Sequence, residues 1–161
     1  MDFYKGFKHD LYKAIPESEK IPVVTFEDID REIQKQVDAL YEKYDNIGIL
    51  LSGGMDSANL AAYLKPGSHA YTFYSNTGVF DADVERAKKY CAKFVLVHHL
   101  IEITFDDLKK YTPIVMSKKW APVRSIEPQI YKATIDANKD GVEMILVGES
   151  ADLIFGAWIN S

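Results

Sequence analysis

The first strongly patterned part of the chain has apolar residues at helical spacing, with charged residues between them. The apolar positions are Ile29, Ile33, Val37, Leu40, Tyr41 and Tyr44. This spacing predicts an amphipathic helix, and Asp28 at its start is a suitable N-cap. Residues 1–26 have no such period, and we interpret them as an N-terminal extension with room for one short strand at 23–25.

After this helix, short apolar or β-rich runs alternate with helical patterns. The runs predict strands at 47–51, 69–74, 95–103 and 144–147. Helices are predicted at 56–64, 84–94, 105–111 and 128–138, with a loop that contains Pro113 and Pro122 between the last two. Buried parallel strands are typically continuous apolar runs, and regular alternation with helices is typical of α/β domains. The pattern therefore predicts an α/β fold with a mainly parallel sheet and helices on both faces.

Composition narrows the class of protein further. A chain of 161 residues, 47% hydrophobic and 27% charged, is long enough for one domain with a buried core. The net charge of −5 argues against a broad nucleic-acid-binding surface. No apolar run approaches the roughly 20 residues of a membrane helix, and the single cysteine, Cys91, cannot form an intrachain disulfide. We therefore expect a cytoplasmic protein without a membrane or nucleic-acid partner.

A glycine-containing turn follows the first predicted strand, and its sequence is Ser52-Gly53-Gly54-Met55-Asp56-Ser57. Glycines let backbone N–H groups approach an anion, the following helix adds its positive dipole end, and serines can donate hydrogen bonds. The turn matches neither the G-x-x-x-x-G-K-[ST] nor the G-x-G-x-x-G nucleotide loop. Asp56 beside a phosphate would require a cation such as Mg²⁺. The simpler alternative is an ordinary connection between a strand and a helix.

A second acidic turn follows the last predicted strand. Glu149 and Asp152 lie three residues apart, so they share one face if a helical turn begins there. Neighbouring parallel strands end at a common crevice, where Asp56 could join these two acids. Two carboxylates could then share magnesium, and the third could act on a proton or position a substrate. The alternative is that both acids only cap a helix.

Together the two turns resemble the PP-loop ATP pyrophosphatases, and in particular the asparagine synthetases. The first turn resembles their S-G-G-x-D-S signature, and residues 148–157 resemble their G-E-G-x-D-E-x-F-G-G motif. The resemblance extends from about residue 30 to residue 158 and implies a Rossmann-like adenine nucleotide alpha hydrolase fold. It also implies ATP cleavage between the α- and β-phosphates, adenylation of a small-molecule carboxylate, and amide formation with ammonia or another amine.

The resemblance implies roles for the residues that match the two motifs. Asp56 and Asp152 match the magnesium-binding aspartates, and Glu149 matches the glutamate proposed as a general base. The pyrophosphate would be held by four loop residues, Ser52, Gly53, Gly54 and Ser57.

Outside the motif side chains, the resemblance implies contacts to the rest of the nucleotide. Backbone groups near Leu50, Ser75 and Gly148 match positions that contact the adenosine moiety. Arg124 stands roughly where related synthetases carry an arginine, so it is a second candidate catalytic residue. A solvated charged loop is the alternative interpretation of Arg124.

The chain departs from the family pattern in three motif positions. Ser150 and Ala157 replace glycines, and Leu153 replaces the second acid. Residue 2 is aspartate, where a glutaminase domain needs an N-terminal cysteine, and the family's further phosphate-binding lysines would lie beyond residue 161. We therefore expect a truncated synthetase-like domain at residues 27–161. It would use free ammonia, another nucleophile, a separate amidotransferase subunit or a homo-oligomeric partner.

Two other functions stay open. A tRNA-modifying or sulfur-transfer enzyme of another PP-loop branch would need RNA binding and a reactive cysteine. The acidic charge and the position of Cys91 on an apolar helix face argue against that branch. A degenerate ATP-binding or assembly module without turnover is consistent with Leu153.

The adjacent histidines of the third predicted strand have a different expected role. His98 and His99 point to opposite faces of that strand, because successive strand residues alternate. We expect them to act structurally, without a cluster of metal ligands around them.

Overall fold

The strands and helices of this computed structural model follow the alternation that the sequence predicts, over the residues that it describes, 25–149. In chain order the elements are α1 (Phe26–Tyr41), β1 (Ile47–Leu50), α2 (Met55–Ala61), β2 (His69–Tyr74), α3 (Asp81–Phe94), β3 (Val97–Glu102), α4 (Phe105–Lys119), α5 (Ile126–Lys139) and β4 (Met144–Val147).

The four strands form one parallel sheet in the order β3-β2-β1-β4. The chain builds outward from β1 to β2 and β3, and then returns to place β4 on the other side of β1. Leu50 at the end of β1 is therefore aligned with Tyr71 on one side and Val147 on the other. The switch point between β1 and β4 is where open α/β sheets form a ligand crevice beyond the strand ends.

Helices cover both faces of the sheet, as predicted. Ile47, Ile49 and Leu51 point to one face and pack with residues of α2 and α3. On the opposite face, Leu50 and Tyr71 pack against α5. This alternation along β1 explains why the strand is one continuous apolar run, because each of its faces meets a separate core.

The N-cap of the first helix lies three residues before the predicted N-cap, Asp28. Thr25 is the N-cap, and its side chain accepts a hydrogen bond from the Asp28 backbone N–H at 3.3 Å. The Asp28 carboxylate accepts a hydrogen bond from the Thr25 backbone N–H at 3.0 Å in return. The prediction of Asp28 as N-cap was therefore wrong, because this carboxylate occupies the third helical position of a capping box.

The prediction of a loop around Pro113 is also wrong, because α4 continues through that residue to Lys119. The apolar spacing of Leu108, Tyr111 and Val115 persists across the proline, and these residues are partly buried. Packing of α4 against α5 outweighs the loss of one backbone hydrogen bond.

The third strand is shorter than predicted, because Val95 ends α3 instead of starting β3. Val95 has a φ of 57° and a ψ of 46°, which is the left-handed conformation of a helix C-cap. The Leu96 backbone N–H donates to the Cys91 carbonyl at 2.9 Å across this cap. The β-propensity of valine is overridden here by the need to close the helix end.

None of the helices within residues 25–149 combines the length and the apolar character needed to cross a membrane.

Candidate active site

The glycine turn lies between β1 and α2, at the switch point of the sheet. Gly53 is buried and has a φ of 74°, in the left-handed region that favours glycine. A Cβ atom at this position would also overlap the backbone carbonyl of Asp83 in α3. The glycine is thus required by backbone conformation and by close approach of a neighbouring helix.

Serine hydroxyls organise the inside of this turn. The Ser57 hydroxyl donates to the Gly54 carbonyl at 3.2 Å and accepts from the Ser52 backbone N–H at 3.1 Å. The Ser52 hydroxyl lies 3.0 Å from that of Ser57 and accepts from the Gly54 backbone N–H at 3.2 Å. The backbone N–H groups of Ser52 and Gly54, which are expected to bind phosphate, therefore already donate to serine hydroxyls. An incoming anion would compete with these hydroxyls for the same two donors.

Helix α3 supports the glycine turn through a hydrogen bond from Arg86, and we call this contact the Arg86 brace. Arg86 Nε donates to the Gly53 carbonyl at 3.0 Å, and the same guanidinium forms an ion pair with Asp83 one turn earlier. Sequence reasoning missed both residues. Their i,i+3 spacing indicates a helix-surface ion pair, but nothing local in the sequence indicates that the arginine reaches a turn 33 residues away.

The end of β4 approaches the first turn of α2 closely. A Cβ atom on Gly148 would lie 2.7 Å from the Ser57 backbone nitrogen and 3.0 Å from the Asp56 carbonyl carbon. Both neighbours are backbone atoms, so moving them would require a shift of helix α2. Gly148 therefore has a packing reason to be glycine, which is separate from the adenosine contact that the resemblance implies.

A cavity of about 310 Å³ opens at this edge of the sheet. It falls at the lower end of the range for small-molecule sites. Seven of the predicted site residues line it, namely Leu50, Ser52, Gly54, Asp56, Ser57, Gly148 and Glu149. An apolar wall that sequence analysis did not identify comes from Phe73 in β2 and from Ile126 and Ile130 in α5. The cavity thus combines a polar end at the glycine turn with an apolar end against α5.

Asp56 lies at the boundary between this cavity and a larger groove. That groove, of about 1080 Å³, runs between α1 and α2 and shares Asp56, Gly148 and Glu149 with the cavity. The Asp56 side chain is exposed, and no hydrogen bond or ion pair ties it to another residue of the 25–149 region. An unengaged carboxylate with two hydroxyls nearby suits a magnesium ion that also binds phosphate oxygens.

The two predicted catalytic residues meet in the structure. Arg124 and Glu149 form a hydrogen-bonded ion pair, with side chains that are 67% and 42% exposed. The hydrogen bond that Arg124 donates to the Glu149 carboxylate raises the pKa of Arg124 above its usual value. Arg124 also lies 3.6 Å from Glu127 at the start of α5. Glu149 lines the cavity and Arg124 does not, and both side chains are open to solvent.

Besides Arg124, three predicted site residues lie away from this cavity or outside the described region. Ser75 follows β2 at the same edge of the sheet, but its hydroxyl bonds Thr77 at 2.6 Å and does not line the cavity. Gly53 does not line the cavity and packs against Asp83 of α3. Asp152, the second predicted metal ligand, lies outside the described residues, as do Ser150, Leu153 and Ala157.

The histidines of β3 point to opposite faces, as expected. His98 lies 2.9 Å from the Thr72 hydroxyl on one face. On the other face, His99 lies 2.9 Å from His69 and 3.7 Å from Asp140. The expectation that no potential metal ligands surround these histidines was wrong. The cluster depends on strand pairing and on α5 packing, which sequence spacing does not reveal.

Comparisons with known proteins place this geometry in a family. No curated protein sequence matches the chain. A solved structure described as NMN synthetase from Francisella tularensis superposes with a TM-score of 0.52 at 15% identity, covering 76% of this chain and 54% of that one. The chain therefore spans about half the length of that structure, and the similarity shows a shared adenine nucleotide alpha hydrolase fold.

Family assignment rests on the sequence itself. Residues 28–158 match the asparagine synthase family over well over half of the chain. That span includes both turns that line the cavity. The protein belongs to the asparagine synthase family and contains a synthetase-type domain of the ATP-utilising PP-loop class.

Proposed function

We propose that this domain binds Mg-ATP and activates a small-molecule carboxylate as its adenylate, with ammonia or another amine then forming an amide. The observation that carries the proposal is the cavity at the β1–β4 switch point. It places the glycine turn, Asp56 and Glu149 around one space with an apolar far wall. An adenine ring suits the apolar wall, and phosphates suit the turn.

The proposed first step is a substitution at the α-phosphorus of ATP. A substrate carboxylate oxygen forms a bond to that phosphorus, the bond to the α–β bridging oxygen breaks, and pyrophosphate leaves. The serine hydroxyls and backbone N–H groups of residues 52–57 would hold the leaving pyrophosphate. A bound Mg²⁺ would neutralise phosphate charge, and Asp56 is the described residue that would hold it.

The proposed second step joins the amine to the activated carbonyl. The amine nitrogen bonds to the acyl carbon, AMP leaves, and the nitrogen gives up one proton. Glu149 is the candidate acceptor for that proton. Because Arg124 is hydrogen-bonded to Glu149, the arginine has to shift toward a phosphate or substrate carboxylate before the glutamate can accept a proton.

A sulfur-transfer role has less support. It requires an accessible thiolate, whereas Cys91 is 4% exposed in the core between the sheet and α3. Burial raises the pKa of this thiol to about 11, so the reactive thiolate form is scarce at neutral pH.

Nucleotide binding is tested by calorimetric titration of the chain with Mg²⁺ and the non-hydrolysable α,β-methylene analogue of ATP. We expect binding that depends on Mg²⁺ and that weakens at least about 10-fold in Asp56→Asn, because the carboxylate no longer offsets the metal charge. Asp106→Asn is a matched control, since Asp106 is an exposed first-turn aspartate of α4 that does not line the cavity. Equal affinities of wild type and Asp56→Asn would remove Asp56 from the metal site.

Turnover is tested by pyrophosphate release with a panel of amino acid and other carboxylates, with and without ammonium. Carboxylate-dependent release of pyrophosphate and AMP supports adenylation. Release that is unchanged by any carboxylate would count against it, and binding without release would favour a nucleotide-binding module that does not turn over. Glu149→Gln is expected to slow amide formation more than adenylation, because the proton acceptor serves only the second step.

A further inference from the structure

A second cluster of chemically active side chains lies at the opposite edge of the sheet from the nucleotide cavity. His69 is the first residue of β2, and the cavity opens beyond the other end of that strand. A strand of six residues is about 16 Å long. The cluster is therefore separate from the phosphate-binding turn, although Tyr71, which contacts His69 and Asp140, also lines the cavity.

Strand pairing and helix packing bring the cluster together. His69 and Tyr71 share one face of β2, and Tyr71 is aligned with His99 in the parallel ladder. Asp140 is the C-cap of α5, which packs on that same face of the sheet. Four side chains from three elements therefore converge, although they are separated by up to about 70 positions in the sequence.

The distances in the cluster are short. His69 Nδ1 lies 2.9 Å from His99 Nε2, and His99 Nδ1 lies 3.7 Å from Asp140 Oδ2. One potential ligand atom from each of His69, His99 and Asp140 lies within 4.8 Å of the others. Tetrahedral zinc with bonds of about 2.0–2.1 Å needs ligand atoms about 3.3 Å apart. Small side-chain rotations would therefore bring the three atoms to coordinating distance.

We propose that His69, His99 and Asp140 form a binding site for a divalent transition metal of the zinc type. Two imidazoles and one carboxylate are a ligand set that suits zinc, whereas Mg²⁺ prefers oxygen ligands alone. The His99 and Asp140 side chains are 29% and 34% exposed, so an ion can enter and a water molecule can complete its coordination. The C-terminal end of α5 adds the negative end of its dipole.

Tyr71 acts as a positioning residue for this metal site. Its hydroxyl donates to Asp140 Oδ2 at 2.9 Å and lies 3.4 Å from His69 Nδ1. The hydrogen bond from the phenol orients the Asp140 carboxylate, as the outer partners of metal ligands commonly do.

Metal binding is tested on the full chain after treatment with a chelator. Calorimetric titration with Zn²⁺ in excess Mg²⁺ is expected to give one site per chain, because Mg²⁺ does not compete for imidazole ligands. Substitution of Co²⁺ is expected to give visible absorption bands typical of a four- or five-coordinate site. His99→Asn and Asp140→Asn should each weaken Zn²⁺ binding by about 100-fold or more, and Tyr71→Phe by about 10-fold.

His98→Asn is the matched control, because His98 is adjacent in sequence but faces Thr72 on the other side of the sheet. Its Zn²⁺ affinity should equal that of wild type. Asp140→Asn preserves side-chain shape at the helix end, so it provides the test if His99→Asn does not fold. The proposal is overturned if wild type takes up no Zn²⁺, if the two ligand variants bind as tightly as wild type, or if His98→Asn weakens binding as much as they do.

The metal proposal is independent of the proposed nucleotide function. His99→Asn and Asp140→Asn are expected to bind the α,β-methylene ATP analogue as wild type does, because neither residue lines that cavity. Failure of the metal site would therefore leave nucleotide binding intact, and the reverse also holds.

Discussion

Single residues in this structure are held by hydrogen bonds that pair a side chain with a neighbouring backbone. The Thr104 backbone N–H donates to Asp107 Oδ2 at 2.9 Å, while the Asp107 backbone N–H donates to the Thr104 hydroxyl at 3.1 Å. Lys132 of α5 extends this capping box, because its ammonium donates to Asp107 Oδ2 at 2.9 Å and to the Glu102 carbonyl at 2.6 Å. The Lys132 ammonium thus links the start of α4, the end of β3 and the middle of α5.

The Asp107 carboxylate is expected to make stability depend on acid pH. Partial burial acts to raise its pKa, but hydrogen bonds from Thr104 and Lys132 outweigh burial and lower the pKa to about 2. A group with a lowered folded-state pKa stabilises the fold above its unfolded pKa of about 3.9, and that contribution is lost as pH falls toward 2. Asp107→Asn should therefore cost about 1–2 kcal/mol near neutral pH, and the difference from wild type should shrink between about pH 5 and pH 2.

Denaturant unfolding of wild type and Asp107→Asn across this pH range measures the effect. Asp106→Asn is the control, because the neighbouring carboxylate is 89% exposed and pairs with Lys109 on the helix surface. Its cost should stay below about 0.5 kcal/mol. A pH-independent loss in Asp107→Asn would show that shape rather than charge explains its contribution.

At the scale of elements, packing overrides local propensity in α4. Pro113 lies inside this helix, where it removes one backbone donor. The helix still continues because α4 packs along α5, and its capping box fixes its start. The Tyr111 ring contacts the Tyr131 ring at a centroid distance of 5.7 Å, two residues before the proline.

Replacement of this proline should stabilise the protein. Pro113→Ala restores a backbone hydrogen bond and removes the steric conflict of proline, and together these are worth about 3 kcal/mol in a helix interior. The variant also gives the unfolded chain more conformational entropy, which lowers the gain by about 1 kcal/mol. We expect a net gain of about 1–2 kcal/mol in the free energy of unfolding, measured by denaturant titration. Pro122→Ala, in the connection between α4 and α5, should instead cost about 0.4–1 kcal/mol. Destabilisation by Pro113→Ala would mean that the helix needs the bend that proline introduces.

At the scale of the whole molecule, the candidate active site depends on contacts between elements distant in sequence. The turn at 52–57 supplies polar groups, α3 braces it from behind, and β4 brings Gly148 and Glu149 beside it. Helix α5 adds the apolar wall of the cavity. The switch in strand order between β1 and β4 is what allows these segments to meet.

The brace from α3 should matter for nucleotide affinity. Arg86→Met keeps most of the side-chain stem but removes the hydrogen bond to the Gly53 carbonyl. Loss of one partly exposed, charge-assisted hydrogen bond should loosen the turn by about 1 kcal/mol and weaken binding of the ATP analogue about fivefold. Lys89→Met on the same helix is the control for a lost positive charge, and it should bind as wild type does. Equal weakening in both variants would indicate a general electrostatic effect rather than support of the turn.

Much of the fold follows from local pattern. Apolar or β-rich runs identified the four strands within residues 25–149, and helical spacing identified the helices, because burial on one or both faces imposes those periods. Errors fell at element ends. Thr25 and Val95 are set by capping geometry, and α4 extends past Pro113 because tertiary packing compensates for a weak local sequence.

The sequence alone determined the family and the identity of the polar groups at the candidate site, because the glycine turn and the acidic turn are contiguous motifs. Only the tertiary structure decided which groups meet. The Arg86 brace, the Arg124–Glu149 pair and the His69–His99–Asp140 cluster each join residues 25 or more positions apart. Such contacts depend on strand order, register and helix placement, which are properties of the packed chain and leave no fixed spacing in the sequence.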